Sequence, residues 1–268
     1  MRTYEINPKY ALINLREQFE KYILDNNLES VVLGVSGGID SALIAAIVNP
    51  ICKKIGKKLI GVSLPSETNK NEEIIRADAI MENFCSIFFT INIEPYIKPY
   101  FDNIINGEEE YMEKIRKGNI KARTRMILLY DTAQKFNGCV LGTDNFTELN
   151  TGFWTLHGDV GDINIIQNLW KTEVYKLSKY IVEEELKNKN NNKAKSLQWC
   201  IDAVPTDGLG ITSSDLEQIN VNTYEEADDL LSDYLDGNKD NINHPIIQRH
   251  LKTEYKRNNP YNFKLGGK

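Results

Sequence analysis

Cysteine is scarce in this chain, at four among 268 residues. Cys52, Cys85, Cys139 and Cys200 lie too far apart for any CxxC pair. That spacing speaks against zinc ribbons, thioredoxin-like redox pairs and cysteine-held iron–sulfur clusters. A disulfide scaffold is not needed at this length. Cys85 (NFCSIFF) and Cys139 (NGCVLG) read as small buried hydrophobes. A cytoplasmic protein is the expectation. Excess positive charge is also missing. Lys and Arg number 32 against 38 Asp and Glu, a formal net charge of −6, which argues against a protein that coats nucleic acid. No apolar run approaches the about 18 residues of a membrane span. The start, MRTYEINPKY, lacks the apolar stretch of a secretory signal.

What is present is enough apolar sequence, 41%, for a buried core. Residues 11–25 carry Leu12, Leu15, Phe19 and Ile23 at helical spacing. SVVLGVS (30–36) reads as a buried strand, followed by a helix over 41–48 that Asn49-Pro50 should stop. A strand over 57–64, a helix over 69–84 and a strand over 86–93 follow. Residues 107–136 read as helix in two pieces divided near Gly118, then CVLG (139–142) as a strand and 170–187 as a helix. This alternation predicts an α/β fold of three layers, a mainly parallel sheet flanked by helices. KNKNNNKAK (187–195) reads as a solvated, mobile loop, EEADDLLSDYL (225–235) as an acidic helix, and 252–268 as a basic tail. One domain over 1–268 is expected.

The most informative stretch is GVSGGIDSAL (34–43), at a strand end and opening a helix. Adjacent glycines let the backbone turn tightly and approach a ligand. The helix start offers unpaired N–H groups and a positive dipole end, and Ser36 and Ser41 add hydroxyls. There is no Walker lysine, and no GxGxxG. Asp40 beside phosphates makes sense with a cation between them, most simply Mg²⁺. Glu148, in LGTDNFTE at the end of the fourth strand, is a plausible second carboxylate.

The string SGGxDS in this setting resembles the pyrophosphate-binding (PP) loop of ATP pyrophosphatases. Further segments follow it: GNIKARTRM (118–126), with a basic cluster of Arg116, Lys117, Lys121, Arg123 and Arg125; LGTDNFTE (141–148); TGFWTLHGDVGDI (151–163); KTEVY (171–175); VPTDGL (204–209); and KTEYKR (252–257). Together, over about residues 10–257, they resemble ammonia-dependent NAD synthetase. The resemblance implies an adenine nucleotide alpha hydrolase-like, Rossmann-like fold and ATP-dependent amidation of deamido-NAD with ammonia, through an acyl-adenylate, releasing AMP and pyrophosphate. It implies ATP contacts at Gly34, Val35, Ser36, Gly37, Gly38, Ile39, Asp40, Ser41, Thr143, Lys171 and Thr206. Metal ligands would be Asp40 and Glu148, with Mg²⁺ as cofactor. The deamidated dinucleotide would meet Arg123, His157, Asp162, Tyr255 and Lys256. A homodimer is implied, with no nucleic acid or membrane partner. Trp154, Trp170 and Phe153 would pack at its interface or in the core.

Asp40 and Lys171 would serve catalysis by meeting charge on the departing pyrophosphate. Asp159, in HGD, is the expected group that attracts ammonium and accepts its proton. The glutaminase domain of glutamine-dependent relatives has no room before Gly34, so free ammonia or a separate donor protein is expected. The chain departs from the family at Leu156-His157, where many members carry Lys-Tyr or Lys-Phe. It also departs at Tyr255, where many have His, and at Leu216 and Asn220, in the loop over about 207–222 expected to close on substrate. Two alternatives stay open. One is another PP-loop enzyme, such as a GMP synthetase or a tRNA-modifying enzyme. The other is a nucleotide-binding homologue without catalysis.

Overall fold

The computed structural model describes residues 6–103, 109–206 and 214–264. The chain runs α1 (Pro8–Asp25), β1 (Ser30–Gly34), α2 (Ile39–Ile55), β2 (Lys58–Ser63), α3 (Asn71–Phe84) and β3 (Ile87–Thr90). It continues with α4 (Glu94–Phe101), α5 (Glu110–Lys135), β4 (Gly138–Gly142), α6 (Phe146–Thr151) and β5 (Ile163–Asn164). Then come α7 (Lys171–Tyr180), a π-helical continuation (Ile181–Leu186) and α8 (Asn191–Asp202). The last helices are α9 (Asp215–Ile219), α10 (Tyr224–Leu235), α11 (Pro245–Lys252) and α12 (Glu254–Arg257). The strands form one sheet, ordered β3-β2-β1-β4-β5, and every pairing is parallel.

Both faces of the sheet are covered, which is why the central strands read as continuous apolar runs. Side chains alternate between the faces. Val31, Leu33 and Leu59 join the core under α1, α2, α3, α7 and α8, while Val32, Ile60, Val62 and Val140 join Ile97 and Leu129 on the other face. A separate apolar cluster unites α9, α10 and α11 around Ile219, Leu231, Ile246 and Ile247. Phe153 and Trp170 pack against that cluster. All four cysteines are free, with Cys52, Cys139 and Cys200 buried and Cys85 half-buried. Burial pushes each of their thiols up to about 12. Among the described residues no helix is long and apolar enough to cross a membrane.

Four sequence expectations need correction. The helix after the glycine-rich loop does not stop at Asn49-Pro50 but runs through to Ile55. Proline removes the N–H that would meet the Ala46 carbonyl. Arg16 compensates, its guanidinium donating to the carbonyls of Ala46 (3.4 Å) and Ile47 (3.2 Å). The long helix is not divided near Gly118; α5 is continuous. A mid-helix glycine costs about 1 kcal/mol, against Lys114–Glu110 and Lys117–Glu113 pairs one turn apart and a buried stripe that includes Ala122, Leu129 and Ala133. The third strand is shorter than expected, at Ile87–Thr90. The asparagine-rich run at 187–195 is not simply a loop. Asn190 accepts from the Lys193 N–H at 3.2 Å and starts α8, which buries Ala194, Leu197, Cys200 and Ile201.

Candidate active site

The order β3-β2-β1-β4-β5 reverses direction between β1 and β4, and a crevice opens beyond their carboxyl ends. The turn after β1 lies there. Its two serines hold the turn together: Ser36 Oγ accepts from the Gly38 N–H (3.2 Å), and Ser41 Oγ donates to the Gly38 carbonyl (3.2 Å). The hydroxyls lie 3.2 Å apart. Gly37 has φ +78°, and a Cβ there would come 2.2 Å from the Glu73 carbonyl oxygen. The buried Arg76 donates to the Gly37 carbonyl at 2.9 Å. No side chain caps the start of α2, so its first-turn N–H groups face the crevice as an anion site. Gly37→Ala costs about 1–2 kcal/mol for the left-handed backbone alone. By calorimetry the melting temperature should fall by about 3 °C or more; an unchanged melting temperature contradicts this account of the turn.

Asp40 stands in the first turn of α2, Glu148 in α6 and Lys171 at the start of α7. Lys171 Nζ bridges the carboxylates, 2.5 Å from Asp40 Oδ2 and 3.2 Å from Glu148 Oε1. Asn145 positions both acids. Its Nδ2 donates to Asp40 Oδ1 at 2.9 Å, its N–H donates to Glu148 Oε2 at 3.2 Å, and its Oδ1 accepts from the Glu148 N–H at 3.0 Å. Burial works to lower the Lys171 pKa, but the carboxylates of Asp40 and Glu148 hold it well above its ordinary value. Burial pushes Glu148 up to about 7 against the pull of Lys171. Behind this trio, the fully buried Asp228 of α10 accepts from Thr147 Oγ1 (2.5 Å), Thr172 N–H (3.0 Å) and Thr172 Oγ1 (2.8 Å). Thr147 Oγ1 in turn accepts from the Lys171 N–H at 2.9 Å. One buried carboxylate thus fixes the starts of α6 and α7 relative to each other.

The crevice is a cavity of about 430 Å³. Gly34, Val35, Ser36, Gly38, Ile39, Asp40 and Ser41 are among the residues that line it, as are Thr143, Glu148, Asp159, Lys171, Thr206 and Lys256; Gly37, also expected there, is not. Thr206 Oγ1 donates to Glu73 Oε1 at 2.6 Å. Asp159 Oδ2 accepts from the Thr155 N–H at 2.5 Å, and burial raises its pKa against that bond and against Arg125 and Lys256. Lys256 Nζ donates to the carbonyls of Gly152 (2.8 Å) and Trp154.

Other predicted dinucleotide contacts do not line this cavity. Arg123 donates to the Leu156 carbonyl at 3.1 Å. Asp162 accepts from Tyr130 Oη (2.8 Å) and the Val140 N–H (2.9 Å), which fixes the sheet edge. His157 pairs with Asn259 (3.2 Å), and Tyr255 is exposed. The basic cluster is dispersed: Arg125 lines the cavity and donates to the Leu64 carbonyl at 3.0 Å, whereas Lys117 pairs with Glu113. Of the expected closing loop, 207–213 lies outside the described residues, while Leu216 is in α9 and Asn220 caps it. Asp144 and Arg249 also line the cavity. The sequence signal for Asp144 was its position at a parallel strand's carboxyl end, beside Thr143.

Among the described residues no group of three His, Cys, Asp or Glu side chains is arranged to hold a metal. Asp40 and Glu148, already converged on one cation, still suit Mg²⁺, which takes one or two carboxylates and completes its shell with phosphate oxygens and water.

A doubly wound parallel sheet, an uncapped helix start at its switch point and a two-carboxylate cation site define a nucleotide-binding α/β protein built to hold phosphates. The sequence model of the family described as NAD synthase matches residues 12–260, and the chain belongs to that family. An NH(3)-dependent NAD(+) synthetase of Methanocaldococcus jannaschii is 34% identical over 83% of this chain and 78% of its own length. The enzyme of the same description from Fusobacterium nucleatum is 31% identical over 94% and 92%. Among solved structures, the NMN synthetase of Francisella tularensis is similar over 97% of this chain and 98% of its own, with a TM-score of 0.77 and 29% identity.

Proposed function

We propose that the protein amidates deamido-NAD to NAD with ammonia, using ATP and releasing AMP and pyrophosphate. The observation that carries this reading is the convergence of Asp40, Glu148 and Lys171 on the open start of α2. A carboxylate is a poor acceptor for an amine, so the acid must first be activated. Its oxygen attacks the α-phosphorus of ATP and the bond to the β,γ-diphosphate breaks. The N–H groups at the start of α2 hold the departing diphosphate, and Lys171 moves its charge onto it. Ammonia then attacks the acyl carbon and AMP leaves. Asp40 and Glu148 would hold Mg²⁺, which when bound neutralises phosphate charge. The enzyme works in the cytoplasm as a homodimer, with Arg123, His157, Asp162 and Tyr255 outside the ATP cavity and on the dinucleotide's side.

The test is one turnover experiment with ATP, Mg²⁺, ammonium and deamido-NAD. AMP and NAD should form one for one; ADP, or AMP without amide, contradicts the reading. A second reading is favoured by the similarity to an NMN synthetase over nearly the whole of both chains. There the acid is nicotinate mononucleotide. Comparing kcat/KM for the two acids decides between them.

Protons and metal compete for Glu148, whose pKa burial raises to about 7. At limiting Mg²⁺ the rate should therefore rise with pH through about 7, as this carboxyl loses its proton. Raising Mg²⁺ should move that limb to lower pH. A limb that stays fixed as Mg²⁺ is varied rules out Glu148 as a metal ligand.

A further inference from the structure

Glu148 stands in the first turn of α6, a helix of six residues, and Lys171 opens α7. A helix as short as α6 does not hold its shape unaided. The C-terminal helices clamp it at both ends. Arg249 of α11 donates to the Thr151 carbonyl at 2.8 Å, and Arg257 of α12 donates to the Asn150 carbonyl at 2.9 Å. His250 Nδ1 donates to that same Asn150 carbonyl at 2.9 Å. At the other end, the buried Asp228 of α10 accepts from Thr147 through Oδ1 and from Thr172 through Oδ2. Thr147 precedes Glu148, and Thr172 follows Lys171. Thr147 Oγ1 thus joins two helix starts, donating to Asp228 and accepting from the Lys171 N–H at 2.9 Å. Asp228 itself does not line the cavity.

We propose that Asp228 is a positioning residue for activation of the acid: through Thr147 and Thr172 it sets where Lys171 stands relative to Asp40 and Glu148. This rests on the amidation reading above. Asn145 fixes the two acids relative to each other; Asp228 fixes the base relative to both. Lys171 Nζ lies 2.5 Å from Asp40 Oδ2 and 3.2 Å from Glu148 Oε1, and its charge must pass from them to the departing diphosphate. A reacting group misplaced by about 1 Å can cost about 10²-fold in rate. The link runs through a hydroxyl, which makes it separable from packing. Valine at position 147 keeps the shape of threonine and removes the bonds to Asp228 and to the Lys171 N–H, whereas serine keeps both. The N–H groups that open α2 belong to another helix, so the hold on ATP should survive the change.

The test uses full-length Thr147→Val, Thr147→Ser and Asp228→Asn. Each is mixed rapidly with ATP, Mg²⁺ and deamido-NAD without ammonium. The amplitude of the pyrophosphate burst counts competent sites, and its rate constant reads activation in those sites alone. In Thr147→Val and Asp228→Asn the rate constant should fall about tenfold or more, while the ATP concentration for half-maximal rate stays within about threefold of wild type. Thr147→Ser should stay within about threefold in both. The KM for ammonium in the complete reaction should be within about threefold of wild type in every variant. A smaller burst with an unchanged rate constant means that the network only supports folding, and overturns the inference. So does a serine variant as slow as the valine variant, or a rise in the ATP requirement in place of the lost rate. The Thr147 pair decides alone where Asp228→Asn does not fold. Absence of pyrophosphate from the wild-type enzyme with either acid, with or without ammonium, overturns the amidation reading itself.

Discussion

Asp40→Asn should lower the rate of AMP formation by about 10³-fold, the scale on which loss of one preorganised electrostatic contact acts. The side chain sits in the first turn of α2, where its carboxylate meets Lys171 Nζ at 2.5 Å and Asn145 Nδ2 at 2.9 Å. The amide keeps an oxygen to accept from Asn145, and Lys171 keeps Glu148 as a carboxylate partner, which limits the loss of stability. What it loses is the negative charge that would hold a divalent cation against the diphosphate. The loss should therefore appear in chemistry more than in folding. Single-turnover AMP formation measures the first, and calorimetry should find the melting temperature within about 3 °C of wild type. A variant that keeps a tenth of the rate removes Asp40 from the account.

Lys171→Met should be damaging in two ways. The side chain is 4% exposed and lies between two carboxylates. Removing the cation leaves those charges uncompensated, which costs about 3–5 kcal/mol. The deficit depends on pH with a definite sign. Glu148 in the fold has a pKa raised to about 7 from the ordinary carboxylate value, and loss of Lys171 raises it further. The folded state then binds more protons than the unfolded one from the ordinary value up to and above about 7, so stability falls as pH rises through that window. The gap in melting temperature between variant and wild type should be small near pH 5 and large near pH 8. Mg²⁺ without ATP should narrow the gap at pH 8, because a divalent ion can replace the lost cation. AMP formation should stay low at every pH, since no side chain replaces Lys171 at the diphosphate. A gap that does not vary with pH contradicts the assignment.

Much of the fold is legible in the sequence. Short β-branched runs such as SVVLG read as buried strands, and Ser36-Gly37-Gly38 marks the tight turn between β1 and α2. Asp40 and Glu148 were legible because both follow strand ends, and the sheet brings those ends together. Pro50 misled because the compensating group, Arg16, comes from another helix and has no local signature. Asn190 misled because a cap and a solvated loop share the same composition. Asp162 and Arg123 read as ligand contacts from their motifs. In the fold Arg123 also donates to the Leu156 carbonyl, and Asp162 also accepts from Tyr130 Oη and the Val140 N–H, bonds that no spacing rule reveals.

The proposed function requires that the turn between β1 and α2 grip the diphosphate that leaves. A crystal structure with a non-hydrolysable ATP analogue and Mg²⁺ tests it most directly. The β- and γ-phosphates should lie on the N–H groups opening α2, with the metal between them and the carboxylates of Asp40 and Glu148. A triphosphate bound elsewhere, with that turn empty, would contradict it.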